Sequence, residues 1–156
     1  MEDGQQVHRF WSAEFFNLAW DFLEKPDRTH EDDLKMIAVA QASYTHWLLR
    51  EDVQPVNRSV GLWQLSRVYA SVGSPQESLR YAEACWAISL DLEPFYKGYA
   101  AEAMARAKLL GHHEVEARTW LHEAETQLAS VDDPEGNPLL AADLVELAER
   151  LKNVAT

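Results

Sequence analysis

Cysteine is almost missing from this chain: Cys85 is the only one in 156 residues, so no intramolecular disulfide can form. It sits among Ala82, Trp86 and Ile88 on a helical pattern and reads as a buried, inert thiol. Long apolar runs are missing too. None reaches the ~18 residues of a membrane-crossing helix. The start, Glu2-Asp3-Gly4, has neither a basic segment nor an apolar one, so no signal peptide is expected and a cytoplasmic location is. Bases are few, with 14 Lys and Arg against 26 Asp and Glu, and the net charge of −12 repels phosphate backbones and anionic membranes. No Lys/Arg cluster offsets it. Nucleic acid and membrane are therefore not expected as partners, whereas basic proteins are favoured. The chain also lacks a Gly-rich phosphate loop, a nucleophile elbow, H-E-x-x-H and paired cysteines, so no cofactor, no metal and no catalytic residue is expected.

Glycine and proline are scarce, six of each, and all the prolines with three of the glycines mark six breaker sites: Pro26, Pro55, Gly73/Pro75, Pro94, Gly111 and Pro134/Gly136/Pro138. Between them the pattern is helical, and no period-2 strand is bounded by turn signals. The first helix covers about Val7 to Glu24, with Trp11, Phe15, Leu18, Ala19 and Phe22 as its apolar stripe. Thr29, followed by Asp32, caps a second helix over His30 to Arg50. That helix carries two stripes, Leu34/Ile37/Ala38/Tyr44/Leu48 and Met36/Val39/Ala40/Ser43/Trp47, which predicts a central position. The third helix runs from Val56 to Gly73. Ser74, Pro75 and Glu77 predict a capping box opening the fourth, which ends at Asp91 to Pro94. The fifth spans Pro94 to Leu110, the sixth His113 to Ala129, and a seventh, with stripe Leu140, Leu144, Leu147, Ala148 and Leu151, follows Asn137-Pro138. Small residues such as Ala38, Ala42, Ser66, Ala82 and Ala100 suit close helix crossings. The expectation is one all-α domain over 1–156. Its antiparallel hairpins lie at about 7–51, 56–91 and 94–130, with a terminal helix at 138–153. Gly73 and Gly111 lie 38 residues apart and Pro55 and Pro94 39 apart, as in a short helical array.

At Leu65-Ser66, Tyr69, Gly73, Glu77, Ala82 and Cys85 the chain resembles the tetratricopeptide repeat family. A second unit, Lys97 to Leu128, is similar at Gly111, Ala117, Leu121 and Ala124 once one residue is inserted after the turn. The whole also looks like small bacterial proteins of this helical type. The resemblance implies a right-handed solenoid of about seven helices that binds peptides or proteins in a concave groove. It turns Val60, Trp63, Arg67, Ala70 and Ser71 toward that groove, without the Lys/Asn clamp some members use for a partner's terminal carboxylate.

Trp63 and Arg67, four apart, share a helix face and pair an aromatic plate with a fork of donors. The bland alternative packs Trp63 on Trp47 and pairs Arg67 with an acid. Glu102 and Arg106, also four apart, read as an ion pair beside Ala101 and Ala105, within reach of the groove. Trp63, Arg67, Glu102 and Arg106 are thus the candidate partner-binding residues. Asn57 reads as a cap or turn residue. His112, His113, Glu116 and His122 are the best metal candidates, but lack a third ligand and read as a solvated helix start. His46, beside Trp47, reads as a hydrogen-bonded core histidine. The leading expectation is a protein- or peptide-binding adaptor without catalysis. The alternative is a small-ligand- or metal-binding helical protein, even an enzyme, with a site among Trp63, Arg67, His46 and the fifth helix. A third reading is self-association through an end of the array, giving a homodimer.

Overall fold

A computed structural model describes residues 2–154, and they form seven α-helices. The helices are α1 (Glu2–Glu24), α2 (His30–Leu48), α3 (Pro55–Ser71), α4 (Pro75–Ser89), α5 (Pro94–Leu110), α6 (Glu114–Leu128) and α7 (Gly136–Val154). None is long and apolar enough to cross a membrane. Proline opens α3, α4 and α5, where its fixed φ suits a first turn whose N–H has no helical partner. The odd-numbered helices make one layer, with α1 on α3, α3 on α5 and α5 on α7, and each even-numbered helix folds back on its predecessor.

Helix starts follow the sequence unevenly. Thr29 and Asp32 form the expected reciprocal box: Asp32 N–H donates to Thr29 Oγ1 at 3.1 Å and Thr29 N–H to Asp32 Oδ2 at 3.0 Å. The Lys25 ammonium, 2.9 Å away, and these bonds hold the Asp32 carboxyl at about 2. Asn57 behaves as a cap residue, its Oδ1 accepting from Gln54 N–H. Ser74 departs from expectation. It occupies the cap position of α4, but with ψ at 84 its hydroxyl makes no capping bond. The chain enters α4 out of a closing bond from Ser74 N–H to the Tyr69 carbonyl, which leaves Ser74 outside the extended backbone of an ordinary cap residue.

The two central hairpins are in register. Each boundary of α5 and α6 lies 39 residues beyond its counterpart in α3 and α4. Gly73 takes the left-handed conformation (φ 81) after α3, as expected. Its counterpart is His112 (φ 62), with Gly111 right-handed at φ −81. The same closing bond recurs, from His113 N–H to the Lys108 carbonyl. No residue is inserted after the second turn. The glycine stands one position early, and a histidine carries the strained backbone instead.

The core corrects two readings. The central helix is α5, not α2: every residue from Ala100 to Ala107 is buried. Its alanines let neighbours approach from all sides. On α2 the buried residues are Asp32 and the Met36/Ala40/Ser43 stripe, while Leu34, Ala38 and Leu48 are exposed. On α1 the buried positions are Ser12 and Ala19, and Trp11 and Leu18 are each 39% exposed. Ser12 lies against α2, its carbonyl accepting from Ser43 Oγ at 2.7 Å and its hydroxyl from Arg50 Nη1 at 3.2 Å, polar contacts that an apolar stripe does not reveal. Trp11 stacks outside on Phe15. Arg28 ties the layer together. Its guanidinium donates to the last carbonyls of α1, Phe22 and Leu23, and to the Ser71 carbonyl and hydroxyl ending α3, while Nε meets Asp33 at 2.7 Å. Cys85 is buried as expected, and burial pushes its thiol up to about 11.

Replacing Gly73 by Ala should cost about 1–2 kcal/mol, because a Cβ is strained at this φ although nothing crowds it. His112→Gly should stabilise by a similar amount. Ser74→Ala should fall within about 0.5 kcal/mol of the parent. Urea melts of the three variants check this ordering.

Candidate functional site

The four residues singled out from the sequence meet on one carboxylate. Glu102, 1% exposed at the centre of α5, accepts from Trp63 Nε1 at 2.9 Å, from Arg67 Nη1 at 3.0 Å and from Arg106 Nε at 2.7 Å. Arg67 and Arg106 occupy equivalent places in the 39-residue register, so two consecutive units aim the same cation at one anion. Burial alone would raise the Glu102 carboxyl, but the two guanidiniums beside it and the Trp63 bond prevail and hold it below the usual carboxylate range. The indole of Trp63 rests on Trp20 of α1 and on Tyr99 of α5, with ring centroids 5.5 and 5.0 Å apart. It does not pack on Trp47, whose ring carries the Arg50 guanidinium.

Helix α7 completes the arrangement. Arg67 Nη2 donates to Asp143 at 2.8 Å, and the same carboxylate accepts from the Tyr99 hydroxyl at 3.0 Å. Burial and the Asp143 charge drive the Tyr99 hydroxyl far above its ordinary pKa, so it stays a donor. Arg67 loses solvation, yet Glu102 and Asp143 raise its pKa. Glu146 lies between Arg106 (3.4 Å) and Arg150 (3.8 Å). Asp143, Glu146 and Arg150 are absent from the sequence-based candidates, which treated the last helix as an apolar stripe. Their spacing along one face beside Leu140, Leu144, Leu147 and Leu151 was the signal.

Two cavities adjoin across Arg67. One, of about 420 Å³, is walled by Trp20, Leu23 and Glu24 of α1 and Glu146 and Arg150 of α7, over Arg67, Ala70, Ser71, Arg106 and Leu110. The other, of about 350 Å³, is aromatic: Trp20, Trp63, Phe95, Tyr96 and Tyr99 surround it with Ser59, Val60, Arg67, Leu139 and Asp143. All five positions expected to face the groove, Val60, Trp63, Arg67, Ala70 and Ser71, line one cavity or both. Glu102 lines neither, being covered by its partners. Arg106, 6% exposed, shows one edge to the larger cavity.

The remaining candidates lie elsewhere. His46 is hydrogen-bonded as expected, through Nδ1 at 2.9 Å to His8 Nδ1, a partner the sequence did not suggest. Burial and the His8 charge lower its pKa. His113 comes within 4.0 Å of Glu116, while Lys108 takes the other Glu116 oxygen at 2.6 Å. Among the described residues no three His, Cys, Asp or Glu side chains gather as a metal would need. Compared with family models, curated proteins and solved structures, the chain matches none.

Glu102→Gln should destabilise by about 3–5 kcal/mol, because it leaves two buried guanidiniums facing an uncharged amide. The carboxyl is depressed in the fold, so its stabilisation is complete above the ordinary value of 4.5. It is lost as pH falls through the lowered folded value. Thermal melts from pH 7 to 3 should show that acid loss in the parent and a flatter profile in the variant. His46 adds a second slope. Its pKa is depressed from 6.5, chiefly by burial, so stability present above that pH is lost as pH falls through the lowered folded value of His46, and His8→Asn should shrink this step in the same melts without abolishing it.

Proposed function

We propose that this protein is a binding module that seats a peptide or protein segment in the groove between α1 and α7, over the floor made by α3 and α5. The observation carrying this reading is that the two cavities adjoin along one track: they share Trp20 and Arg67, and all four helices of the layer line both. Further depressions continue it. One beside Val60 and Tyr96 runs toward Phe16, Trp47 and Val56, and another beside Phe95 and Tyr96 runs toward Val131 and Asp132. An extended track of aromatic and aliphatic side chains over a rigid floor suits a chain segment with several anchoring side chains. The chemistry of the floor supports binding over catalysis. Trp63, Arg67, Glu102 and Arg106 hold one another in place, and the Glu102 carboxylate is kept ionised and covered, a poor position for a general acid or base. The 39-residue register of α3–α4 with α5–α6 supports a helical-repeat reading.

One observation favours a second reading. The aromatic cavity alone, at about 350 Å³, falls within the range of small-ligand sites, so an apolar small molecule would fit there.

Tyr96→Ala with Leu139→Ser alters the groove wall without touching the ion network, since Leu139 is 61% exposed and Tyr96 partly buried. Peptides selected from a random display library on the parent protein should lose at least about tenfold in affinity on this double variant, whose melting should be nearly unchanged. Peptides bound equally by both proteins would overturn the groove. Native mass spectrometry showing a retained small molecule, displaced by the same substitutions, would favour the second reading.

A further inference from the structure

The charges along the groove are unevenly spent. Its lining holds three cations, Arg67, Arg106 and Arg150, and each already faces a carboxylate of the protein: Glu102 and Asp143 for Arg67, Glu102 and Glu146 for Arg106, Glu146 for Arg150. The acids of the rim are different. Glu24 borders the larger cavity, and Glu93, Asp132 and Asp133 border the depression that leaves the aromatic cavity past Phe95 and Tyr96. All four are exposed, and among the described residues no cation lies in ion-pair contact with them. The Asp133 carboxylate receives the Glu135 N–H on Oδ1. The protein as a whole carries −12. An incoming carboxylate would find the arginines occupied and the rim repulsive, whereas an ammonium or guanidinium would find unmatched acids beside aromatic faces.

We infer that the groove selects a basic segment bearing a large apolar side chain. That side chain fills the cavity of Trp20, Trp63, Phe95, Tyr96 and Tyr99, and neighbouring Lys or Arg residues meet Glu93, Asp132 and Asp133. The inference rests on the groove reading and adds the partner's chemistry to it. It also makes the missing Lys/Asn clamp intelligible, since this rim has nothing to offer a terminal carboxylate. The rim acids set charge preference and association rate, and the aromatic cavity sets the anchor.

Three acetylated and amidated pentapeptides test it, each with a central phenylalanine flanked by four lysines, four serines or four glutamates. Binding is followed by calorimetry and by the protein's own tryptophan fluorescence, at low and at near-physiological salt. The lysine peptide should bind at least about tenfold more tightly than the serine peptide and should weaken as salt rises, and the glutamate peptide should not bind. Glu93→Gln with Asp132→Asn and Asp133→Asn should remove about tenfold of the lysine peptide's affinity and flatten its salt dependence. It should leave the serine peptide's affinity unchanged. Glu83→Gln with Asp91→Asn and Glu125→Gln removes the same charge from exposed positions outside the groove and should have little effect. Equal binding of lysine and serine peptides, equal effects of the two triple variants, or preference for glutamate would overturn the inference. In each of those cases the groove itself would still stand if binding were lost in the Tyr96→Ala, Leu139→Ser variant. If none of the three peptides binds, the inference falls and the display selection alone judges the groove.

Discussion

A buried carboxylate in the middle of the most enclosed helix is an expensive thing to place, and the molecule is arranged around making Glu102 tolerable. An ionised acid at that depth needs counter-charge and donors from several directions. They come from α3 through Trp63 and Arg67 and from the next turn of α5 through Arg106. Arg67 then requires a second anion, which brings in Asp143 of α7, and Arg106 and Arg150 draw in Glu146. The order in which helices can stack is therefore fixed by charge as well as by apolar fit. An all-alanine α5 face could slide along its neighbours, but one with Glu102 and Arg106 on it has a single register.

The same group explains why groove and core are continuous here. The donors that neutralise Glu102 reach it from the groove side, so their outer surfaces become the groove floor. Trp63 gives its indole N–H to the carboxylate and also lines the aromatic cavity. Arg67 lies under both cavities while bridging α5 and α7. A floor built this way is preorganised: its rotamers are set by hydrogen bonds within the protein, which in the binding reading proposed above lowers the ordering cost of association.

How much could be read in advance depended on the length scale of the signal. Helix number and the Thr29 cap were legible because periodicity and capping are local, and Gly73 was legible because glycine takes that left-handed turn without steric cost. The meeting of Trp63, Arg67, Glu102 and Arg106 was half legible. Spacing put each pair on one face, but that the pairs share one carboxylate is a property of two helices in register. The centrality of α5 was obscured because alanine contributes little to an apolar stripe and because Glu102 and Arg106 look like surface residues until their partners are known. The turn at His112 was misread because glycine is the loudest turn signal, and here it stands one residue from the position that needs it. Asp143 and Glu146 were hidden for the opposite reason to Glu102: they sit beside a strong leucine stripe that accounts for the helix without them.

Arg67 also sets a limit on how this surface can diversify. One guanidinium neutralises an interior acid, clasps the C-terminal helix and forms the ridge between the two cavities. A change of ligand chemistry made at that ridge would reopen the folding problem at Glu102 and loosen α7 in the same step. Val60, Tyr96 and Leu139 carry no such second duty, for they touch the groove without entering the ion network. In the binding reading proposed above, specificity can therefore be changed at the walls without loss of the fold, and not at the floor.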